Sequence, residues 1–383
     1  MKAFNKGHLK YEIENCAEVK HVLSQHPAIT KAPDGSLLLA YSDYTDAMED
    51  ATAYLVRSLD KGVTWGQPEL VIKSRKPQGG TSITLGMQTL RSGRILLPWS
   101  DTSNQKKNPR ESIDFICFLS DDSGNTWSGL EPQNTGLHQF SPYGKIVELE
   151  DGTLLCPGWG YMSKDEENYT SGLLRSFDSG KTWEDHSVIS RCYNETDLTL
   201  LPDGRILAML RSESKQPLIS FSLSEDNGKS WAEPQFTNVT GQNFNAWLTP
   251  RGALVGACRG IDGSGKYQLS EIIPDNIRYN DQIGYGIHFL SAVNDGKIWN
   301  YLFTLPDPSG LQYTAYHQSG EPGFVTLDDN HILVCYYSYD ESIYNTLCIN
   351  DFPEYTRMQA LRIPHAFKRR VCVCMIVIKE IFT

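Results

Sequence analysis

A chain of 383 residues that is 40% hydrophobic, 11% aromatic and 21% charged has enough apolar content to bury a core, which excludes an intrinsically disordered chain. Its formal net charge of -11 argues against nucleic acid as a partner, although a local arginine cluster can still receive an anionic ligand. Nine cysteines, an odd number without C-x-x-C metal spacing, and an N-terminal stretch with no apolar signal core point to a reduced, cytoplasmic setting, and with no phosphate loop or cofactor motif in the sequence no metal and no cofactor are expected.

In chain order, the first predicted element is a hairpin, APDGSLLLAYS at 32–42. Apolar runs on either side of a D-G dipeptide are a strong short-range hairpin signal. A second motif follows, S-x-D-x-G-x-T-W, carried by Ser58, Asp60, Gly62, Thr64 and Trp65. The pair then recurs. Hairpins stand at 90–100, 149–159, 201–211 and 249–259, and the matching boxes end at Trp127, Trp183, Trp231 and, in the degraded form SAVNDGKIW, Trp299. A sixth hairpin, LDDNHILVCYY at 327–337, has no box after it. In each box the Asp folds its carboxylate onto turn N–H groups, the Gly takes a backbone conformation other residues resist, and the Trp caps strand packing. These residues are structural, and their ligand pattern is not that of a calcium loop.

Each repeat reads as four strands, two around the D-G turn and two around the box. Six such repeats predict an all-β, six-bladed β-propeller of four-stranded antiparallel blades with box hairpins. It is expected to fill residues 1–365 as one domain, with MQALRI at 358–363 as closing strand. Residues 366–383 are then a C-terminal tail of uncertain structure, whose apolar run at 371–378 is too short to span a bilayer and reads as a strand or a terminal extension, with a membrane-touching tail as the alternative.

Symmetry locates a candidate site. D-G turns and boxes share one face, so ligand chemistry belongs on the opposite face, at the start of each first strand and the end of each second strand. Eight residues before the turn Asp, or its equivalent, lie His26, Thr84, Tyr143, Glu195, Asn243 and Glu321. Seven residues after the turn Gly lie Ser42, Ser100, Trp159, Arg211, Arg259 and Tyr337. Charged and aromatic groups converging on a channel mouth fit a polar, anionic, sugar-like ligand.

The boxes and hairpins resemble the sialidase superfamily, also called BNR or Asp-box proteins. That resemblance implies a six-bladed propeller whose enzymes remove terminal sialic acids. They hold the carboxylate with three arginines, use an Asp acid/base and attack with a Tyr activated by a Glu. NETDLTLLPDGRILAMLR places Glu195 at the activating Glu and Arg211 at a carboxylate-binding Arg. DYTDAMED on the first blade places Asp46 at the acid/base, with Asp50 and Asp43 as rivals. Three positions depart from the pattern. Gln25-His26-Pro27-Ala28 stands where the first Arg belongs, GYGIHF where another belongs, and Glu321 where the Tyr belongs.

The expected function is that of an exo-acting glycoside hydrolase on a terminal acidic sugar, with a small-molecule or oligosaccharide partner. Asp46, Glu195 and Glu321 are its candidate catalytic residues. Arg211, Arg259, His26, Tyr143 and Trp159 are its candidate substrate contacts. Two alternatives stay open: a non-catalytic glycan-binding propeller, and a uronate-type polysaccharide lyase with His26 and Tyr143 moving the proton.

Overall fold

The computed structural model describes residues 9–21, 25–43, 51–76, 79–82, 86–102, 113–129, 131–213, 218–260, 286–293, 295–305, 320–339 and 369–380. Among them regular structure is strand alone, arranged in six antiparallel sheets. The first blade runs outward through Gln25–Lys31, Leu37–Ser42, Thr52–Ser58 and Leu70–Lys73. The fourth (Tyr193–Leu200, Ile206–Ser212, Leu218–Ser224, Gln235–Thr240) and the fifth (Gln242–Leu248, Leu254–Gly260, Gly286–Val293, Ile298–Thr304) repeat that order. The third blade differs in its innermost strand, split into Gln139–Pro142 and Val147–Glu148. The second has a split inner strand too, and its outer edge is reduced to a bridge between Leu119 and Ser128. Pro132, which has no N–H to give a ladder, follows that bridge.

The sixth blade corrects the expected domain boundary. Its order outward is Gly320–Thr326, His331–Tyr339, Arg369–Glu380 and Leu9–His21. Within residues 366–383, Arg369–Glu380 is the third strand of this blade, with Val377 opposite His331 on one side and Glu380 opposite Leu9 on the other. Its unbroken apolar run suits a strand with neighbours on both edges. The proposed closing strand at 358–363 lies outside the described residues. The ring closes where the inner strand of blade six meets that of blade one.

Second and third strands are buried almost throughout, because each sheet is sandwiched between two others. The apolar core is accordingly divided into clusters between neighbouring blades, such as Leu38, Leu55, Leu97, Trp99 and Ile116 between the first two.

The boxes lock this stack. In the first, the backbone N–H of Gly62 donates to Ser58 Oγ at 2.8 Å, the N–H of Thr64 donates to Asp60 Oδ1 at 2.8 Å, and Trp65 Nε1 donates to the Gly62 carbonyl at 3.2 Å. The residue before each box Gly is left-handed, with φ of 57–62° from Lys61 to Asp295. This turn presses each box Gly onto a leucine of the preceding blade. A Cβ on Gly124 would come within 2.6 Å of Leu38, one on Gly180 within 2.7 Å of Leu96, and one on Gly62 within 2.8 Å of Leu333. Each of these leucines lies three residues past a D-G turn Gly or its equivalent, so turns and boxes do share one face. Arginines clasp in the same direction: Arg57 Nη1 donates to the Ser123 carbonyl at 2.9 Å and Arg94 Nη1 to the Ser179 carbonyl at 3.2 Å.

Candidate active site at the channel mouth

On the face opposite the boxes, the inner strands of four blades carry the same irregularity. Their register against the second strand shifts by one residue, between Gln25 and Ala28, Tyr193 and Thr196, Gln242 and Asn245, and Gly320 and Gly323. In three of them the displaced residue is left-handed: His26 at φ 55°, Asn243 at φ 54° and Glu321 at φ 51°. For a non-glycine residue this conformation costs roughly 1–2 kcal/mol, and bulges of this kind re-aim side chains beside functional sites. His26, Glu195, Asn243 and Glu321, four of the residues eight before a turn, thus sit on bulges.

Two connected groups result. Glu195 Oε1 accepts from Arg211 Nη1 at 2.6 Å, and Glu195 Oε2 accepts from Asn243 Nδ2 at 2.7 Å. Asn243 Nδ2 also donates to the Tyr143 hydroxyl at 3.1 Å, which ties blades three, four and five together. In the second group, His26 Nε2 lies 3.3 Å from Glu321 Oε1, both side chains being buried. Tyr143 belongs electrically to both. Burial, then the charges of Glu195 and Glu321, push its phenol well above the usual range, so at neutral pH it stays protonated.

Two of the other sequence-predicted residues, Arg259 and Trp159, lie on the second strands of blades five and three at the same face. Arg259, at the Arg211 position one blade on, donates to Gln242 Oε1 and is partly exposed. Trp159 meets Tyr169 edge-on at 4.5 Å, and Tyr169 lies 4.9 Å from Tyr161, giving blade three an aromatic rim. Asp46 and Asp50 lie outside the described residues. Their neighbour Asp43 accepts from the Thr52 N–H at 2.7 Å and from the Tyr54 hydroxyl at 3.0 Å. Burial raises its carboxyl above the ordinary value despite those bonds. Asn243 was not among the candidate site residues, yet it joins Glu195 to Tyr143. Its signal was present, since it occupies the equivalent offset from the fifth turn.

Chemically, this is a six-bladed propeller mouth with two carboxylates, each held by a cationic or ionisable nitrogen, around a protonated phenol. Such a fold and mouth define a propeller of the sialidase superfamily. The model of the BNR repeat-like domain matches residues 17–144 and 118–327, and the chain belongs to that family. Among curated proteins it is similar to the sialidase of Clostridium perfringens, 25% identical over 230 residues, covering 54% of this chain and 59% of that protein. It thus spans little more than half the length of that relative. Among solved structures it superposes on a protein of unknown function from Dyadobacter fermentans (TM-score 0.69, 16% identity, 96% of this chain and 99% of the other). It also superposes on the Hadza microbial sialidase Hz136 (TM-score 0.62, 17% identity, 82% and 63%). These likenesses show the fold.

The departures from the sialidase pattern acquire a spatial meaning here. His26, where an Arg was expected, and Glu321, where a Tyr was expected, are paired with each other. His288, from the GYGIHF segment, is buried with Nδ1 3.1 Å from the Thr304 hydroxyl.

Proposed function

We propose that this channel mouth is the active site of an exo-acting glycoside hydrolase that removes a terminal acidic sugar. The observation that carries the reading is the convergence of Glu195 and Glu321 on Tyr143, with Arg211 attached to the same network. Arg211 is 26% exposed at its side chain, so a substrate carboxylate can reach the guanidinium beside Glu195. Arg259 supplies a second cation one blade on. Glu195, fixed by Arg211 and Asn243, is the pre-oriented carboxylate on the reacting face. Glu321 is the second carboxylate, Tyr143 is a neutral phenol that hydrogen-bonds the sugar or the bond being broken, and Asp46 on the first-blade loop is the proton donor. Trp159 offers an apolar edge to the ring of the sugar.

Replacing an arginine of the family's carboxylate grip by His26 reorganises the specificity pocket, and replacing the Tyr by Glu321 removes the usual nucleophile. The preferred substrate is therefore a terminal uronic-type glycoside more than a simple sialoside. The test is a turnover screen of the purified protein against terminal uronic and sialic glycosides. We expect hydrolysis of at least one uronic glycoside. Glu195→Gln and Asp46→Asn should each lower it by about 10²–10⁴-fold, the usual size of an acid–base contribution, and Arg211→Ala should raise KM for acidic substrates. Binding of the same glycosides without turnover would establish a glycan-binding propeller instead, and an unsaturated product would establish a lyase.

A further inference from the structure

A separate cavity of about 270 Å³ lies deeper in the channel, towards the turn face. Its polar lining lies three to six residues before the D-G positions, against eight for the mouth, which at about 3.3 Å per residue places it roughly 7–16 Å further in. Thr30 from blade one and Thr89 from blade two hydrogen-bond through their hydroxyls at 2.9 Å, using only one of the two protons. Trp247 from blade five gives its indole N–H to the Thr326 hydroxyl at 3.0 Å and stacks on Phe324, which also lines the space. Lys145 is neutralised there by Asp197 and donates to the Ala246 carbonyl at 2.6 Å. Asn245 is 2% exposed, and its Nδ2 has no hydrogen-bond partner among the described residues.

An unpartnered buried amide donor costs roughly 1–3 kcal/mol, and a turn of the Asn245 side chain that brings Nδ2 to a ligand acceptor recovers it. The lining has hydroxyl and amide residues beside a slightly larger apolar share, and of its two cations the partly buried Lys145 is paired with Asp197 while the exposed Lys31 donates to the Leu327 carbonyl at 2.8 Å. That pattern suits an uncharged, polyhydroxylated molecule with one apolar face. The volume lies below the ~300 Å³ at which pockets for drug-sized ligands begin, so it holds one ring and not a chain. We propose that the cavity is a second carbohydrate site, which takes a single neutral monosaccharide entering from the turn face, separate from the acidic-sugar mouth.

The experiment is calorimetric titration of the whole chain with D-galactose, D-glucose and L-arabinose in turn. Wild type and Arg211→Ala should both give saturable one-site binding of at least one of these sugars. Asn245→Leu, which removes the donor and fills the space, and Thr89→Val should each weaken it at least tenfold. If Asn245→Leu loses its cooperative melt, Thr89→Val alone decides. No saturable binding of any of the three sugars to wild type overturns the proposal, leaving a cavity filled by ordered water. So does binding that Arg211→Ala abolishes while the cavity variants leave it intact, because the sugar would then sit at the mouth. Because the proposal does not rest on catalysis, absence of hydrolase activity leaves this result unaffected.

Discussion

The hydroxyls of Thr64, Thr126 and Ser230 each donate to a box carboxylate, at 2.5–2.6 Å. These bonds, with those from the backbone N–H groups of the same residues and from the preceding Ser, hold Asp60, Asp122 and Asp226 at a pKa of about 2. An Asp in the unfolded chain titrates near 3.9. A carboxylate depressed on folding contributes stability that is complete above the unfolded value and is lost as pH falls through the folded one. The boxes should therefore weaken together between about pH 4 and pH 2. Urea denaturation measured across that window should show stability falling steeply in wild type. The fall should be shallower in Asp122→Asn, which starts from lower stability at pH 7. Equal slopes for the two proteins would show that the box carboxylates do not drive acid unfolding. The same local logic explains why the boxes were readable from sequence: donor, acceptor and turn all lie within eight consecutive residues.

At the scale of strands, legibility depended on distance along the chain. The D-G hairpins join neighbouring strands through short loops, as Pro33, Asp34 and Gly35 do between Ala32 and Ser36, so position 34 announces both of its strands. The strand Arg369–Glu380 has partners at Leu9–His21 and His331–Tyr339, and nothing local to VCVCMIVI states which edges it fills. Its apolar run reads equally as strand or extension because its neighbours are remote. The bulges at His26, Asn243 and Glu321 were equally invisible, since left-handed backbone at a non-glycine residue is a cost imposed by the surrounding sheet. The ring of residues was found by counting, whereas the pairing of His26 with Glu321 and the bridging role of Asn243 required coordinates. Deleting residues 369–383 tests the corrected boundary. It would leave Leu9–His21 and His331–Tyr339 with facing, unpaired edges, the kind of template that recruits other chains. The truncated protein should lose its cooperative melt and scatter light on warming. A soluble truncation with wild-type melting would return that segment to the status of a tail.

Across the molecule, six interfaces are held by five box clasps. Each box presses on the blade before it, but the third and fourth strands of blade six come from opposite ends of the described chain, with no box hairpin between them. The seam between blades five and six relies instead on Trp247 against Phe324, the Trp247–Thr326 hydrogen bond and Arg251 Nη2 to Asn330 Oδ1 at 2.5 Å. Glu380 stands opposite Leu9 as two residues flanking a hairpin turn would. That adjacency makes the chain a natural candidate for circular permutation, which succeeds where ends are close and new ends fall in exposed loops. A linker bearing S-x-D-x-G-x-T-W between positions 380 and 9, with new ends opened elsewhere on the ring, would supply the sixth clasp. Such a permutant should melt above one carrying a glycine-serine linker of equal length. Its amides along Gln242–Leu248 and Gly320–Thr326 should exchange more slowly. Repetition would then have been carried to completion by chemistry, with a ring that no longer has a preferred place to open.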